Sequence, residues 1–231
     1  MREPSAATAA ATHGPGQAAL DPARVARHTL SIFPTTIANF LWPDCDALNA
    51  RLCATILARA GYAPGLARSI VGGWHSALDL FDWSEPCVQE LKSRIVSFMQ
   101  PFTRISEQIQ GDDPRDWPYR LQGWANVLSH GDYHIAHTHP NAAWSGVYYV
   151  TDNEPVAGHP YSGKLELMDP RPGASVTYAE TSRLYGRFLL SPCAGQMIVF
   201  PAWLQHSVHP YFGTGQRIAV AFNLLPVARQ A

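Results

Sequence analysis

The chain has 231 residues, a net charge of -1 and 46% hydrophobic residues. This length and composition suit one folded domain with a sizeable core. The near-neutral charge, without a run of Lys or Arg, argues against nucleic acid or an anionic membrane as the main partner. No apolar run approaches the ~20 residues that a membrane-spanning helix needs.

The first 28 residues are predicted to be a disordered tail. Met1 to Leu20 is rich in Ala, Thr, Gly and Pro. This stretch lacks the apolar core of a signal peptide and has too few Arg for a transit peptide, so we expect a cytoplasmic protein. The cysteines form no C-x-x-C pair and are expected to be buried free thiols of a reducing compartment: Cys45, Cys53, Cys87 and Cys193.

The front of the folded part, residues 29–118, is predicted to be mainly helical after one or two short strands within Leu30 to Trp42. Either Asp44 or Asp46 can cap a first helix, and Gly61 ends it. Apolar residues on one face of this helix repeat every four positions: Leu48, Leu52 and Ile56.

A second, longer helix is predicted to begin at Ser84 and Pro86. Pro101 is expected to kink or divide it. A polar, proline-bearing linker follows at residues 111–118. The helix is indicated by an amphipathic stripe at spacings of three and four: Val88, Leu91, Ile95, Phe98, Phe102, Ile105 and Ile109.

From residue 119 to 228 the pattern changes to short segments of β propensity separated by Gly, Pro, Asn and Asp. Many short strands with regular turn signals predict a sandwich or barrel. We therefore expect one α+β, mainly β domain over residues 29–231, in which N-terminal helices buttress a jelly roll. The predicted strands are Leu121–Leu128, Ala143–Val150, Lys164–Met168, Tyr185–Leu190, Gln196–Phe200 and Arg217–Leu224.

Histidines cluster just before the second of these strands. His137 and His139 are two apart, and on an extended strand both would project to the same side and reach one ion. Imidazole suits Fe, Zn, Cu and Ni, so the ligand type alone does not choose the metal. His134 has the opposite parity and is expected to lie behind the site or on the surface. Asp132 could replace one histidine as a ligand if the chain bulges there.

A second cluster follows about sixty residues later, in a predicted loop from Leu204 to Pro210. His206 and His209 compete there for the position of a third ligand. A single histidine is more often a core or surface residue. The combination of His-x-His with a distal histidine nevertheless favours a metal site.

The last predicted strand separates its side chains by chemistry. Ile218, Val220, Phe222 and Leu224 share an apolar face, whereas Arg217 and Asn223 share the other face with two alanines. An arginine beside small residues on an inward face suggests space for an anion, because a guanidinium pairs with a carboxylate in a bidentate manner. The alternative is a surface arginine on an edge strand.

A tyrosine of the strand Trp144 to Val150 could supply a second donor to the same carboxylate. Tyr149 and Tyr148 point to opposite faces, so only one of them can face the pocket. The other is expected to pack in the core.

The chain resembles the Fe(II)/2-oxoglutarate-dependent dioxygenase superfamily, and more closely a bacterial and phage group of 2-oxoglutarate/iron oxygenases with a His-x-His-Pro motif. The resemblance covers roughly residues 30–225. Its order and spacing are specific, although each motif alone is weak. The matching residues are Gly73-Trp74-His75-Ser76, Trp124-Ala125-Asn126, Gly131-Asp132-Tyr133, His137-Thr138-His139-Pro140, Ser145 to Val150, Asp169-Pro170-Arg171, Phe200 to His206 and Arg217 to Asn223.

The resemblance implies a double-stranded β-helix that binds Fe(II) and 2-oxoglutarate. It favours His206 over His209 as the distal ligand, beside His137 and His139. It makes Arg217 the partner of the 2-oxoglutarate C5 carboxylate, supported by Tyr149 and by Asn126. The expected reaction is hydroxylation of an unidentified small molecule, with release of succinate and CO2.

The sequence departs from the superfamily at His139, where most members have Asp or Glu. With a third imidazole, the ligands of the site carry one negative charge fewer than those of the two-His, one-carboxylate triad. This favours an alternative, a three-histidine, cupin-like metal dioxygenase that does not use 2-oxoglutarate. A non-catalytic jelly-roll binding module is a further alternative, which the clustered histidines and the arginine strand disfavour. The sequence does not identify the substrate or the oligomeric state, for which a homodimer is one option. Candidate substrate contacts are Trp74, His75 and Arg171.

Overall fold

The computed structural model describes residues 21–27, 33–107, 117–174 and 186–227. The chain divides into two compact units between Pro34 and Thr35. The first unit contains helix α1, Pro22–Arg27, which lies inside the segment predicted to be a tail. Residues 1–20 and 28 of that segment lie outside the described residues.

The second unit is built on two antiparallel sheets, which confirms the prediction of a mainly β jelly roll. The described strands are β1 (Ala38–Leu41), β2 (Ile70–Val71), β3 (Trp74–His75), β4 (Tyr119–Leu128), β5 (Tyr133–His137), β6 (Trp144–Tyr149), β7 (Leu165–Met168), β8 (Arg187–Leu190), β9 (Gln196–Pro201), β10 (His206–Val208) and β11 (Arg217–Pro226). One sheet has the strand order β1-β9-β6-β11-β4-β3, and the other has the order β2-β5-β10-β7-β8.

All six strands predicted from residue 119 onward occur, with bounds shifted by a few residues. The interpretation of Leu204 to Pro210 as a loop was wrong, because His206–Val208 forms β10. This strand of three residues pairs with β5 on one side and with β7 on the other. Pairing with two neighbours, rather than local propensity, makes it a strand.

Helix α2 spans Asp46–Ala60 and ends at Gly61 as predicted. The prediction that Asp44 or Asp46 caps it was wrong. Cys45 occupies the N-cap position without a side-chain hydrogen bond, and Asp44 has a positive φ of 51°. Asp46 instead lies in the first turn, where its carboxylate interacts favourably with the helix dipole.

Helix α3 spans Pro86–Glu107 and contains Pro101 without being divided. The Thr103 hydroxyl donates to the carbonyl of Met99 at 2.8 Å, close to the position where proline lacks an amide proton. Ile109 and most of the predicted linker at residues 111–118 lie outside the described residues.

A large core joins α2 and α3 to the outer face of the six-stranded sheet. Strand β11 shows the predicted alternation. Its apolar face enters this core with four side chains: Ile218, Val220, Phe222 and Leu224. A smaller apolar cluster lies between the two sheets and includes Ile198 and Phe200 of one sheet with Leu165 and Leu167 of the other. This cluster therefore packs the inner face of one sheet against the inner face of the other.

The cysteines are free, as expected, but not all of them are buried. Cys45 and Cys87 are buried and Cys53 is half-buried, whereas Cys193 is exposed. Cys193 lies in the turn before β9, outside either core. Among the described residues no helix is long and apolar enough to cross a membrane.

Candidate metal and cosubstrate site

A cavity opens between the inner faces of the two sheets. Side chains of β4, β6, β9 and β11 form one wall, and side chains of β5, β7 and β10 form the other. Its lining combines four histidines and one arginine with apolar groups: Ser69, Trp124, Asn126, His134, His137, His139, Gly146, Val147, Tyr149, Leu165, Phe200, His206, Val208, Arg217, Ala219 and Ala221.

Three histidines meet in this cavity. One ligand nitrogen from each of His137, His139 and His206 can be chosen so that all lie within 4.8 Å of one another. His137 ends β5 and lies opposite His206 of β10 in the antiparallel register. The backbone N–H of His139 donates to Ala202 O at 2.9 Å, which ties the chain after β5 to the turn before β10. This group could hold a metal ion.

Backbone carbonyls orient two of these rings. The Nδ1 of His206 lies 2.9 Å from Leu204 O, and the Nδ1 of His137 lies 2.7 Å from Ile135 O. A carbonyl can only accept, so each Nδ1 carries the proton and each Nε2 keeps its lone pair. Such contacts fix the tautomer and the orientation of metal-binding imidazoles.

Ser69 is a member of the site that the sequence did not predict. Its hydroxyl lies 3.3 Å from His137 Nε2 and 3.4 Å from His134 Nδ1. It precedes β2, in a segment without any recognisable motif. Only the pairing of β2 with β5 brings it to the histidines.

Burial keeps the three imidazoles neutral. It lowers the pKa of His206 to about 3 and the pKa of His139 to about 4, and it also lowers the pKa of His137. Charge on neighbouring histidines makes a smaller contribution to the first two shifts. Neutral imidazole is the form that binds a metal, so the site needs no deprotonation at neutral pH.

The other candidate ligands lie elsewhere. His209 contacts Glu166 through Nε2 at 2.7 Å, so His206 rather than His209 joins the cluster. Asp132 accepts from the Ser129 backbone N–H at 2.7 Å and is not part of the three-residue group. His134 is buried and lines the cavity behind His137, in the position expected for a supporting residue rather than on the surface.

The arginine predicted to face inward does so. Arg217 is only 2% exposed, and its Nε and Nη2 have no hydrogen-bond partner within the described parts of the chain. Burial lowers the pKa of this guanidinium. Its Cζ lies 5.1 Å from the ring centre of Tyr149, whose hydroxyl also lacks a partner there. The guanidinium and the hydroxyl also interact with each other, because each shifts the pKa of the other, and both line the cavity where an anion could bind.

Tyr149, and not Tyr148, is the tyrosine on the cavity wall. Tyr148 points into the helical side of the core and donates to Asn49 Oδ1 at 2.7 Å. Asn126 of β4 lies opposite Ala219 of β11 and also lines the cavity. The Asn126 Oδ1 is buried without a partner among the described residues.

The candidate substrate contacts lie off the cavity wall. The Trp74 indole donates to Ala63 O at 2.9 Å, and the His75 Nδ1 lies 2.6 Å from Ser76 O. Arg171 is paired with Asp169 at the surface. Trp124 and Phe200, which the sequence did not single out for contact, form the apolar part of the wall.

Comparison with known proteins agrees with this geometry. Residues 122–223 match the family described as "Putative 2OG-Fe(II) oxygenase". This segment runs from β4 to β11 and includes the three histidines and Arg217. No curated protein matches the sequence.

Solved structures share the fold at low sequence identity. A prolyl-4-hydroxylase of Pseudomonas putida is 16% identical, with a TM-score of 0.56 over 83% of this chain and 93% of the other. HygX of Streptomyces hygroscopicus, solved with nickel and 2-oxoglutarate, is 12% identical, with a TM-score of 0.56 over 90% and 88%. The epimerase SnoN, solved with Fe3+, α-ketoglutarate and nogalamycin RO, is 12% identical, with a TM-score of 0.57 over 89% and 85%.

The chain therefore has the fold of the 2OG-Fe(II) oxygenases, and its jelly-roll core matches the sequence pattern of one of their families. Two of these relatives bind a metal together with 2-oxoglutarate, and this chain has a three-histidine group that could hold a metal.

Proposed function

We propose that the domain of residues 29–231 is an Fe(II)/2-oxoglutarate-dependent oxygenase that hydroxylates a small molecule. The observation that carries the proposal is one cavity with three neutral imidazoles and a buried guanidinium whose Nε and Nη2 have no hydrogen-bond partner among the described residues. Folding stability does not explain the buried imidazoles or the buried guanidinium, because burying polar and charged groups without partners costs free energy.

The donor set fits a ferrous ion. His137, His139 and His206 would hold it through their Nε2 atoms, since the Nδ1 protons of His137 and His206 are engaged by carbonyls. Three ligands from the protein leave open coordination positions, as expected for a catalytic rather than a structural metal. Imidazoles alone do not exclude another divalent metal.

The inner end of the cavity fits a carboxylate. Arg217 would bind the C5 carboxylate of 2-oxoglutarate in a bidentate manner, and the Tyr149 hydroxyl would donate a further hydrogen bond. Asn126 would orient the cosubstrate through its amide. The carboxylate would supply the counter-ion that Arg217 lacks among the described residues.

Bound Fe(II) and 2-oxoglutarate would supply the oxidising chemistry: one atom of O2 enters the substrate C–H bond as hydroxyl, the other enters succinate, and CO2 is released. The chain contributes position and environment. Trp124, Val147 and Phe200 form apolar parts of the wall that would limit water near the histidines.

The proposal of a small-molecule substrate is supported by SnoN, which has the same fold and was solved with nogalamycin RO, whereas a prolyl hydroxylase of this fold was solved with a peptide fragment. Relatives include both a hydroxylase and an epimerase, so the outcome of oxidation varies within this fold. Hydroxylation is the reaction proposed here.

One observation favours a second candidate function. Three imidazoles, without a carboxylate in the group, suit a metal dioxygenase that acts directly on its substrate. Arg217 would then bind a carboxylate of the substrate. Oxygen uptake that does not depend on 2-oxoglutarate distinguishes this candidate from the first.

The test is an anaerobic titration of 2-oxoglutarate into the Fe(II)-loaded protein, followed by visible absorption. We expect a metal-to-ligand charge-transfer band in the wild type and in His209→Ala, but none in His206→Ala. His209→Ala is the matched control, because His209 contacts Glu166 outside the cluster. Bound iron without a band in the wild type would contradict the proposal and favour the second candidate.

A further inference from the structure

Asn153 lies in the connection between β6 and β7. It is 7% exposed, although polar residues in loops are usually solvated. Its Nδ2 donates to Ser162 O at 2.8 Å, which fixes the orientation of the amide. The Oδ1 of the same amide is buried and has no hydrogen-bond partner in the described structure.

Gly163 shows what this oxygen faces. The point where a Cβ of Gly163 would stand lies 2.0 Å from Asn153 Oδ1 and 3.2 Å from Arg217 Cδ. The amide oxygen and the stem of Arg217 are therefore neighbours across a glycine that has no side chain to separate them. Gly163 also has a positive φ of 61°, so the backbone conformation favours glycine independently.

Arg217 has a buried donor that also lacks a hydrogen-bond partner among the described residues. The donor is Nε, which is bonded directly to Cδ. A buried acceptor and the carbon next to a buried donor, both without partners among the described residues, thus lie beside the position where a Gly163 Cβ would stand. Satisfying both at once removes two desolvation penalties.

We infer that Asn153 is a positioning residue for Arg217, accepting a hydrogen bond from its Nε–H when an anion occupies the cavity. This inference rests on the proposed function. When Nε donates to Asn153, the two Nη atoms remain free to donate to the carboxylate in a bidentate manner. Asn153 acts through Arg217 and does not contact the cosubstrate.

The neutral amide is essential to this role. An aspartate at the same place would accept the same hydrogen bond but would also supply a counter-ion to Arg217. The guanidinium would then be neutralised from within, and a carboxylate ligand would have to compete with it. Asn153→Asp should consequently weaken anion binding more than Asn153→Ala, although it changes fewer atoms.

The experiment measures calorimetric affinities of the anaerobic Fe(II) protein for 2-oxoglutarate and for pyruvate. Pyruvate has the keto-acid group but no distal carboxylate, so its binding does not use Arg217. We expect Asn153→Ala to weaken 2-oxoglutarate binding about tenfold, the effect of one hydrogen bond to a charged group, and Asn153→Asp to weaken it further. Pyruvate affinity should stay unchanged in both variants.

Ser162→Ala is the matched control. It removes the hydroxyl that accepts from the Phe212 backbone N–H but keeps the carbonyl that holds Asn153. The ratio of the two affinities should equal that of the wild type. Because both ligands are measured on one preparation, partial unfolding of a variant does not change the ratio.

Two results would overturn the inference while leaving the proposed function intact: unchanged 2-oxoglutarate affinity in Asn153→Asp, or equal weakening for both ligands. Failure of the wild type to bind 2-oxoglutarate at all would instead overturn the proposed function and this inference with it.

Discussion

The Nε2 atoms of His139 and His206 lie 3.3 Å apart, although 67 positions separate the two residues in the chain. The Nδ1 of His206 donates to a carbonyl, so its Nε2 carries a lone pair. Two lone pairs at this distance would repel each other, and a proton or a cation must therefore lie between the rings. A metal ion satisfies this requirement together with His137.

The first prediction concerns metal affinity. Replacing His139 or His206 by alanine removes one of three donors, and we expect Fe(II) affinity to fall by more than about 100-fold, the upper range seen for supporting residues of metal sites. Competition with a chromophoric chelator measures the change. His209→Ala should keep the affinity of the wild type. Equal iron binding by His206→Ala and wild type would show that the cluster is not the metal site.

The second prediction concerns the third imidazole. His139→Asp adds one negative charge beside the metal, so we expect tighter Fe(II) binding and weaker 2-oxoglutarate binding. Chelator competition and calorimetry give the two affinities separately. His139→Asn, which adds no charge, is the control and should not tighten Fe(II) binding. Tighter 2-oxoglutarate binding in His139→Asp would contradict the electrostatic argument.

The third prediction separates stability from function at Arg217. Arg217→Met replaces a buried charge that has no ion-pair partner among the described residues by an apolar side chain of similar length. We expect the free energy of unfolding without ligand to rise by about 1–3 kcal/mol, while the affinity for 2-oxoglutarate falls. Urea denaturation measures the first effect and calorimetry the second. A destabilised Arg217→Met protein would mean that the guanidinium has a structural partner.

The fourth prediction follows from the lowered histidine pKa values. His206 and His139 have an ordinary pKa of 6.5 that burial lowers to about 3 and about 4 in the folded state. Below pH 6.5 the unfolded chain binds protons that the folded chain does not. The free energy of unfolding of the metal-free protein should therefore decrease as the pH is lowered. Each histidine should contribute about 2 kcal/mol of loss by pH 5.

Chemical denaturation of the metal-free protein at pH 7.5 and pH 5 measures this loss. His206→Asn, whose amide does not titrate, should show a smaller difference between the two pH values. If both proteins lose the same stability, His206 is not held neutral by the fold.

The sequence by itself determined the features that depend on periodicity. The alternation along β11 placed Arg217 opposite an apolar face, and that face does enter the core. The stripe of α3 as far as Phe102 and the strong β segments also follow from residue spacing, because side chains repeat every two residues in strands and every 3.6 in helices. The inclusion of Ile105 in this stripe was wrong, because its side chain is 81% exposed. The His-x-His pair and the family resemblance indicated a metal site.

Only the tertiary structure decided between residues that local sequence treats alike. His206 and His209 both lie near β10, but the pairing of β10 with β5 puts His206 opposite His137 and leaves His209 with Glu166. The strand parity allowed either Tyr148 or Tyr149, and the position of the helices decided which side was the core. Strands β5 and β10 are too short and polar to be recognised alone, since their stability comes from pairing.

The supporting residues show the same limit most clearly. Ser69 and Asn153 belong to connections between elements and lie far along the chain from the groups that they face. No periodicity links a loop amide to a strand arginine. Their places are determined by which strands pair and how the connections cross the end of the sheets, which is a property of the folded chain and not of any local stretch of sequence.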